Sequence, residues 1–325
     1  MLIRDGESNL HLFISLSKPS VTRCIPIRSE RSSTKLRIPE GQSLAGKSIG
    51  IVGLGSAGSK IAVSLARTGA RKFYLVDQEL FLPENIVRNA LDWQAVGEHK
   101  VDAAATALQL VAPDVQVSVS RTHLTGQESS ASVSLVLDRL GECDIVIDAT
   151  ADPGVFNLLA AVSKAAAKPL VWLEIFAGGI GGLIARSRPG IDPSPQTMRA
   201  AYLGFCGEHP PPPHQAAGNY NLEDAKGRVL AASDADVSII AHHAARLAAD
   251  TLLAAAVSRY PYSMYLIGLA KDWIFEAPFA TVPIETEPFR ENEPQELDAK
   301  TFGAENLAFL SELLKKQANA TPTSP

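Results

Sequence analysis

Three glycines at Gly-x-Gly-x-x-Gly spacing, Gly53, Gly55 and Gly58 in GIVGLGSAGSKIA, stand between the apolar run KSIGIV and the helically spaced Ile61, Leu65 and Ala66. A strand-to-helix turn leaves backbone N–H groups unpaired at the positive end of a helix dipole, and a phosphate suits it as ligand. Oxidoreductases, methyltransferases and nucleotide-transferring enzymes share such a turn, so the residues after it must separate them. Asp77 closes the next strand, KFYLVD, where a carboxylate can accept hydrogen bonds from ribose hydroxyls. These two features alone suit NAD. Asn85, Arg88 and Lys100 then follow in the connection DQELFLPENIVRNALDWQAVGEHK. Two cations and an amide beside a ribose site suit a triphosphate better than a pyrophosphate already held by backbone N–H groups, which favours ATP. Asp148 and Asp152, in DIVIDATADPGVF, end the next core strand, where a carboxylate can hold Mg²⁺ against phosphates.

The elements that must position these residues alternate. The pattern predicts a strand at 48–53, a helix at 57–68, a strand at 72–77, a helix within GEHKVDAAATALQLVA and a strand at 115–121. A helix at 128–140, a strand ending at Asp148, a helix at 154–167 and the strand PLVWLEIF continue it. This alternation predicts an α/β fold with a Rossmann-like, doubly wound, mostly parallel sheet. An antiparallel C-terminal extension is expected from the glycine-rich bend AGGIGGLIARSRPG and two strand-like runs in YLIGLAKDWIFEAPFATVPIET, with a helix at 236–258 between them. Residues 1–45 read as an N-terminal arm or linker. Residues 46–290 read as one nucleotide-binding domain with a nucleotide half at 46–188, a long proline-rich loop at 189–235 and a C-terminal helix and strands at 236–290. A polar tail with a short helix occupies 291–325.

The chain has 325 residues, 46% of them apolar and 20% charged, enough for one large core in a globular protein. A net charge of −5 argues against nucleic acid as the main partner. The longest apolar helix candidate is broken by His242, His243, Arg246 and Asp250, so it reads as a core or subunit-contact helix and not a membrane span. No secretory pattern opens the chain, and a cytoplasmic location is the expectation. Three cysteines, Cys24, Cys143 and Cys206, with no Cys-x-x-Cys pair, exclude a disulfide framework and a four-cysteine zinc site. Cys143 is expected to be buried.

The order of the glycine turn, LVDQELFLPENIVRN, GEHK and DATAD resembles the ThiF/MoeB superfamily, the adenylation fold of ubiquitin-activating enzymes and bacterial sulfur-carrier activators, over roughly Leu44 to Arg188. The resemblance implies that Asp77 binds ribose, Asn85 and Arg88 contact phosphates, Lys100 neutralises the transferring phosphates and Asp152 positions Mg²⁺. It implies ATP-dependent adenylation of the C-terminal carboxylate of a ubiquitin-like or small carrier protein, in a homodimer, with a ubiquitin-conjugating-like protein as a further partner and a bacterial conjugation or antiphage pathway as the setting. Glu79 stands where many relatives carry a second aspartate, and Pro153 and Asn157 stand where they carry an asparagine and an arginine. The absent zinc clips move the reading away from sulfur-carrier activation, and no zinc is expected. The acyl-adenylate could pass to a thiol. Cys206, in YLGFCGEHPPPPH, is the candidate: His209 and His214 are near in sequence, and an imidazolium would lower its pKa. A half-buried, inert loop cysteine is the competing reading. An NAD-dependent oxidoreductase would use the glycines and Asp77 but leave Arg88, Lys100 and Asp152 without a task. A non-enzymatic scaffold keeping the fold is the third reading.

Overall fold

The computed structural model describes residues 2–4, 10–16, 21–27, 43–210, 215–217, 221–223, 229–230, 232–253 and 258–286. Within 1–45, where the sequence reads as an arm, β1 (Leu2–Arg4), β2 (Leu10–Leu16) and β3 (Val21–Ile27) pair antiparallel into a small sheet. Alternation in LHLFISL is a strand signal, and the serine-rich stretch after it masked its weight. The expected tail helix lies outside the described residues.

Five parallel strands follow: β4 (Ser48–Val52), β5 (Lys72–Val76), β6 (Gln116–Ser120), β7 (Ile145–Asp148) and β8 (Leu170–Ile175). They lie in the order β6, β5, β4, β7, β8. β9 (Gly181–Ser187) turns back antiparallel on β8. The short β10 (Gln215–Ala217), β11 (Asn221–Glu223) and β12 (Val229–Leu230) form a separate sheet. β13 (Met264–Gly268) and β14 (Thr281–Pro283) complete the main sheet beyond β9, so it is mixed, with eight strands and an antiparallel C-terminal edge. β4 and β7 are buried apolar runs without alternation, as central strands covered on both faces must be.

The helices are α1 (Ser56–Thr68), α2 (Lys100–Val111), α3 (Ser130–Gly141), α4 (Pro153–Ala166), α5 (Pro195–Glu208) and α6 (Asp234–Leu253). α1, α2 and α6 bury Ile61, Leu65, Leu108 and Ile240 with Ile49 and Ile51 in one core; α3, α4 and α5 bury Leu140, Phe156, Leu159 and Met198 with Val146 and Leu266 in the other. Among the described residues no helix is long and apolar enough to cross a membrane.

Two local outcomes depart from the sequence pattern. The expected 189–235 loop contains α5, which Ser194 caps by accepting from Thr197 N at 3.2 Å while Pro195 occupies the first turn. A proline there starts a helix and does not break it, because its missing N–H would be unpaired anyway. α4 ends at Ala167, an exposed residue with φ 50° and ψ 46°. A side chain in this left-handed conformation costs about 1 kcal/mol. Ala167→Gly should raise urea-denaturation stability by up to about 1 kcal/mol; an unchanged midpoint would count against the strain.

Candidate functional site

The sheet reverses its strand order at β4, with β5 and β6 on one side and β7 and β8 on the other. Connections then leave in opposite directions, and a crevice opens at the carboxyl ends of the two central strands. It is a cavity of about 700 Å³, the size class of small-molecule and cofactor sites.

Each glycine of the turn does a different job. Gly53 has φ +87°, and a Cβ there would meet Ala149 backbone at 3.0 Å. At Gly58 a Cβ would lie 1.8 Å from Gly53 O, so only hydrogen lets α1 pack on the turn. Among the described residues nothing lies within 4 Å of a Cβ built on Gly55, which lines the cavity with Ser56 and Ala57. No side chain among the described residues caps this end of α1, and its first turn carries no acid. The unpaired N–H groups and the dipole are left for an anion.

Asp77 is buried at the end of β5. Its Oδ2 accepts from Leu54 N at 2.6 Å and its Oδ1 from Glu79 N at 2.8 Å, which ties the glycine turn to the β5 end. Burial pushes its carboxyl above the usual range, against the pull of those two N–H donors and Lys100. Each oxygen retains a lone pair for a hydroxyl donor.

The excursion from Glu79 to Lys100 closes on itself. Phe81 N donates to Glu98 O at 2.7 Å and Lys100 N to Glu79 O at 2.9 Å, around a small core built on Phe81 and Leu91. Asn85 and Arg88 therefore reach the cavity wall from a fixed loop, Asn85 with its Oδ1 accepting from Leu82 N at 2.9 Å. Among the described residues no carboxylate pairs with the Arg88 guanidinium. Lys100, 5% exposed, lines the cavity and is ion-paired to Glu79. That pairing was not legible from residue types alone.

The two aspartates after β7 separate. Asp152 lines the cavity and caps α4, its Oδ1 accepting from Gly154 N at 2.7 Å and Val155 N at 3.0 Å. Oδ2 makes no protein hydrogen bond among the described residues, and one free carboxylate oxygen fits Mg²⁺, which takes one or two carboxylates and completes its shell with phosphate and water. Asp148 is not in the cavity wall. Its Oδ1 accepts from Thr150 N at 3.0 Å and Thr150 Oγ1 at 2.6 Å, holding the turn beneath the site. Next in that turn, Ala151 has φ +56°, a strained non-glycine conformation at the cavity wall.

Burial raises the Asp148 carboxyl from 3.8 to about 6. The folded state then binds more protons than the unfolded state between those values, so this group's contribution to stability falls as pH rises through the window. Asn at 148 would retain both bonds on Oδ1. Asp148→Asn should match wild type near pH 4 and exceed it above pH 6.5 by on the order of 2 to 3 kcal/mol, because the folded acid must ionise there and the amide does not. Parallel pH profiles of the two melting temperatures would contradict this.

Cys206 stands apart from the cavity. It lies on α5, not on a loop, and burial raises its thiol above the usual range despite a hydrogen bond with Tyr202. Of the two imidazoles expected near it, the His209 ring stacks on Phe205 at 4.5 Å, and His214 lies outside the described residues. Cys143 is buried as expected, at 4% exposure. The cavity also uses residues the sequence reading gave no role: His123 and Thr125 after β6, and Phe176 and Val237 on an apolar wall.

A model of the ThiF family matches residues 32–192. The ATP-dependent ubiquitin transferase-like protein Cap2 of Pseudomonas aeruginosa is 29% identical over 150 residues, 45% of this chain and 26% of that protein. Ubiquitin-like modifier-activating enzyme 5 of Culex quinquefasciatus is 28% identical over 161 residues, 47% of this chain and 40% of that enzyme. The matched region thus spans well under half of either relative. The crystal structure of E. coli MccB with ATP has a TM-score of 0.56 at 14% identity, covering 78% of this chain and 68% of that one, a likeness of fold.

Proposed function

The chain belongs to the ThiF family through residues 32–192, and on that premise we propose that it uses ATP to adenylate a carboxylate, releasing pyrophosphate. The observation that carries this reading is the meeting of the open glycine turn, Asp77, Arg88, Lys100 and Asp152 on one cavity. Asp77 takes the ribose hydroxyls and the N–H groups of α1 face the phosphates. Arg88 and Lys100 offset negative charge that a dinucleotide would not bring. Lys100 leaves Glu79 for the phosphates. Among the described residues the charged groups of the wall are three carboxylates and two cations, Asp77, Glu79 and Asp152 against Arg88 and Lys100, so a triphosphate needs more countercharge than these side chains hold. Asp152 would hold Mg²⁺, which when bound neutralises phosphate oxygens.

The attacking group is an ionised carboxylate at neutral pH, so the site needs no strong general base. A carboxylate oxygen forms a bond to the α-phosphorus and the bond to the pyrophosphate oxygen breaks. Lys100, Arg88 and the N–H groups of the turn stabilise the charge that develops. The likeness to a ubiquitin transferase-like protein and to a ubiquitin-like modifier-activating enzyme supports the C-terminus of a ubiquitin-like or small carrier protein as the carboxylate donor. A conjugating-enzyme-like protein would follow as partner, in a cytoplasmic homodimer. No step is assigned to Cys206. Exchange of labelled pyrophosphate into ATP, driven by a panel of ubiquitin-like proteins ending in glycine, tests the reading. Exchange should depend on a free C-terminal carboxylate and vanish when it is amidated; ATP bound without exchange by any donor would favour the scaffold.

A further inference from the structure

Lys60 is a lysine that helix geometry alone would not place where it is. It sits on α1 among Ser59, Ile61 and Ala62, 7% exposed, although a buried ammonium is costly unless paired. Among the described residues its Nζ has two partners. It donates to Arg88 O at 2.5 Å and pairs with Asp234 Oδ1 at 2.8 Å. The first partner is the backbone of a cavity arginine. The second is the first residue of α6, whose neighbours Ala232 and Val237 form part of the cavity wall.

The contact is one of three in register. Asn89 Nδ2 donates to Leu54 O at 3.2 Å, and Ala90 N donates to Ser59 Oγ at 3.1 Å. Residues 88, 89 and 90 are thus each bound to the glycine turn or the first turns of α1. Only the Lys60 contact also reaches α6.

We propose that Lys60 is a positioning residue for the phosphate end of the site: by holding the Arg88 carbonyl against α1 and joining it to Asp234, it fixes where the Arg88 guanidinium is presented and couples that loop to the start of α6. This rests on the nucleotide reading above for its ligand, but the clamp itself exists without ligand. A charge-assisted hydrogen bond to a carbonyl is directional, and a guanidinium on a loose loop loses affinity to the entropy of ordering it.

The test uses the full chain and four variants: Lys60→Met, Asp234→Asn, Arg88→Ala and the Lys60→Met/Arg88→Ala pair. Calorimetry with ATP–Mg²⁺ should show Lys60→Met about 10-fold weaker, and the double variant no weaker than Arg88→Ala alone, because the two act through one group. Adenosine, which lacks phosphates, should bind Lys60→Met as it binds wild type. A merely structural role would weaken both ligands. Without nucleotide, amide exchange at residues 88–91 should quicken in Lys60→Met and, by a smaller factor, in Asp234→Asn, whose exposed site keeps that variant folded. Additive losses in the double variant, equal weakening for adenosine, or unchanged exchange in both single variants would overturn the proposal. Wild-type protein that binds no ATP yet shows the exchange difference would sink the nucleotide reading and leave the clamp standing.

Discussion

Gly55→Ala should leave the fold in place and weaken ATP binding, whereas Gly58→Ala should lose both. The two glycines are three residues apart and differ in what surrounds them. A methyl at Gly55 meets no atom of the described residues within 4 Å and enters the space where the phosphates would lie. Its φ of −68° is open to alanine, so the stability cost is a helix-capping effect of a few tenths of a kcal/mol up to about 1 kcal/mol. Overpacking a ligand against that methyl costs about 1–3 kcal/mol, or roughly 5- to 150-fold in affinity. A methyl at Gly58 would stand 1.8 Å from the Gly53 carbonyl oxygen and 3.2 Å from Ala149 Cβ, so the turn itself must move. Calorimetry and thermal unfolding on both variants check the contrast. Normal affinity in Gly55→Ala would mean that phosphates do not approach this turn.

The second large effect lies far from the nucleotide. Arg186, on β9, is fully buried and binds Asp250 Oδ2 at 2.8 Å, Ser258 Oγ at 2.8 Å and Tyr260 O at 3.1 Å. It joins the antiparallel edge of the sheet to the end of α6 and the turn after it. Its Nε is buried with no partner among the described residues, so the pair already carries an uncompensated polar atom there. Asp250→Ala would strand a buried guanidinium and should cost about 3–5 kcal/mol in denaturant unfolding. Replacing both partners with apolar residues, Arg186→Met with Asp250→Leu, should recover most of that loss; a double variant as unstable as the single would refute this. Burial works against ionised Asp250, yet hydrogen bonds from Ser258, Arg186 and Arg259 hold its carboxyl below the usual range. Its stabilising contribution is therefore present above the ordinary carboxylate pKa and lost as pH falls through the depressed value.

Arg186 also shows where sequence reading stops. In GGLIARS it follows a run of buried strand residues, and nothing local distinguishes a buried arginine from an edge one, because its partners lie 64 and more residues away. The parallel core was legible because its strands are continuous apolar runs punctuated by helices with 3.6-residue spacing. α5 was not, because proline-rich flanks dominate the local signal while Ser194 and Pro195 supply a helix start. In the site, Asp77, Arg88, Lys100 and Asp152 were legible since each ends or follows a recognisable element. The separation of Asp148 from Asp152 required three dimensions: both follow β7, but one carboxylate turns under the loop to Thr150 and the other caps α4 at the cavity. Lys60 was hidden for the opposite reason, as a cation on a helix whose pattern reads as amphipathic.

The most direct test of the central claim is calorimetric titration of the purified chain with ATP–Mg²⁺ and with NAD⁺, repeated on Lys100→Ala and Asp152→Ala. ATP should be preferred, and each variant should bind it at least about 10-fold more weakly while NAD⁺ remains a poor ligand throughout. Tight NAD⁺ binding that ignores Lys100, or binding of neither nucleotide, would contradict the adenylation reading.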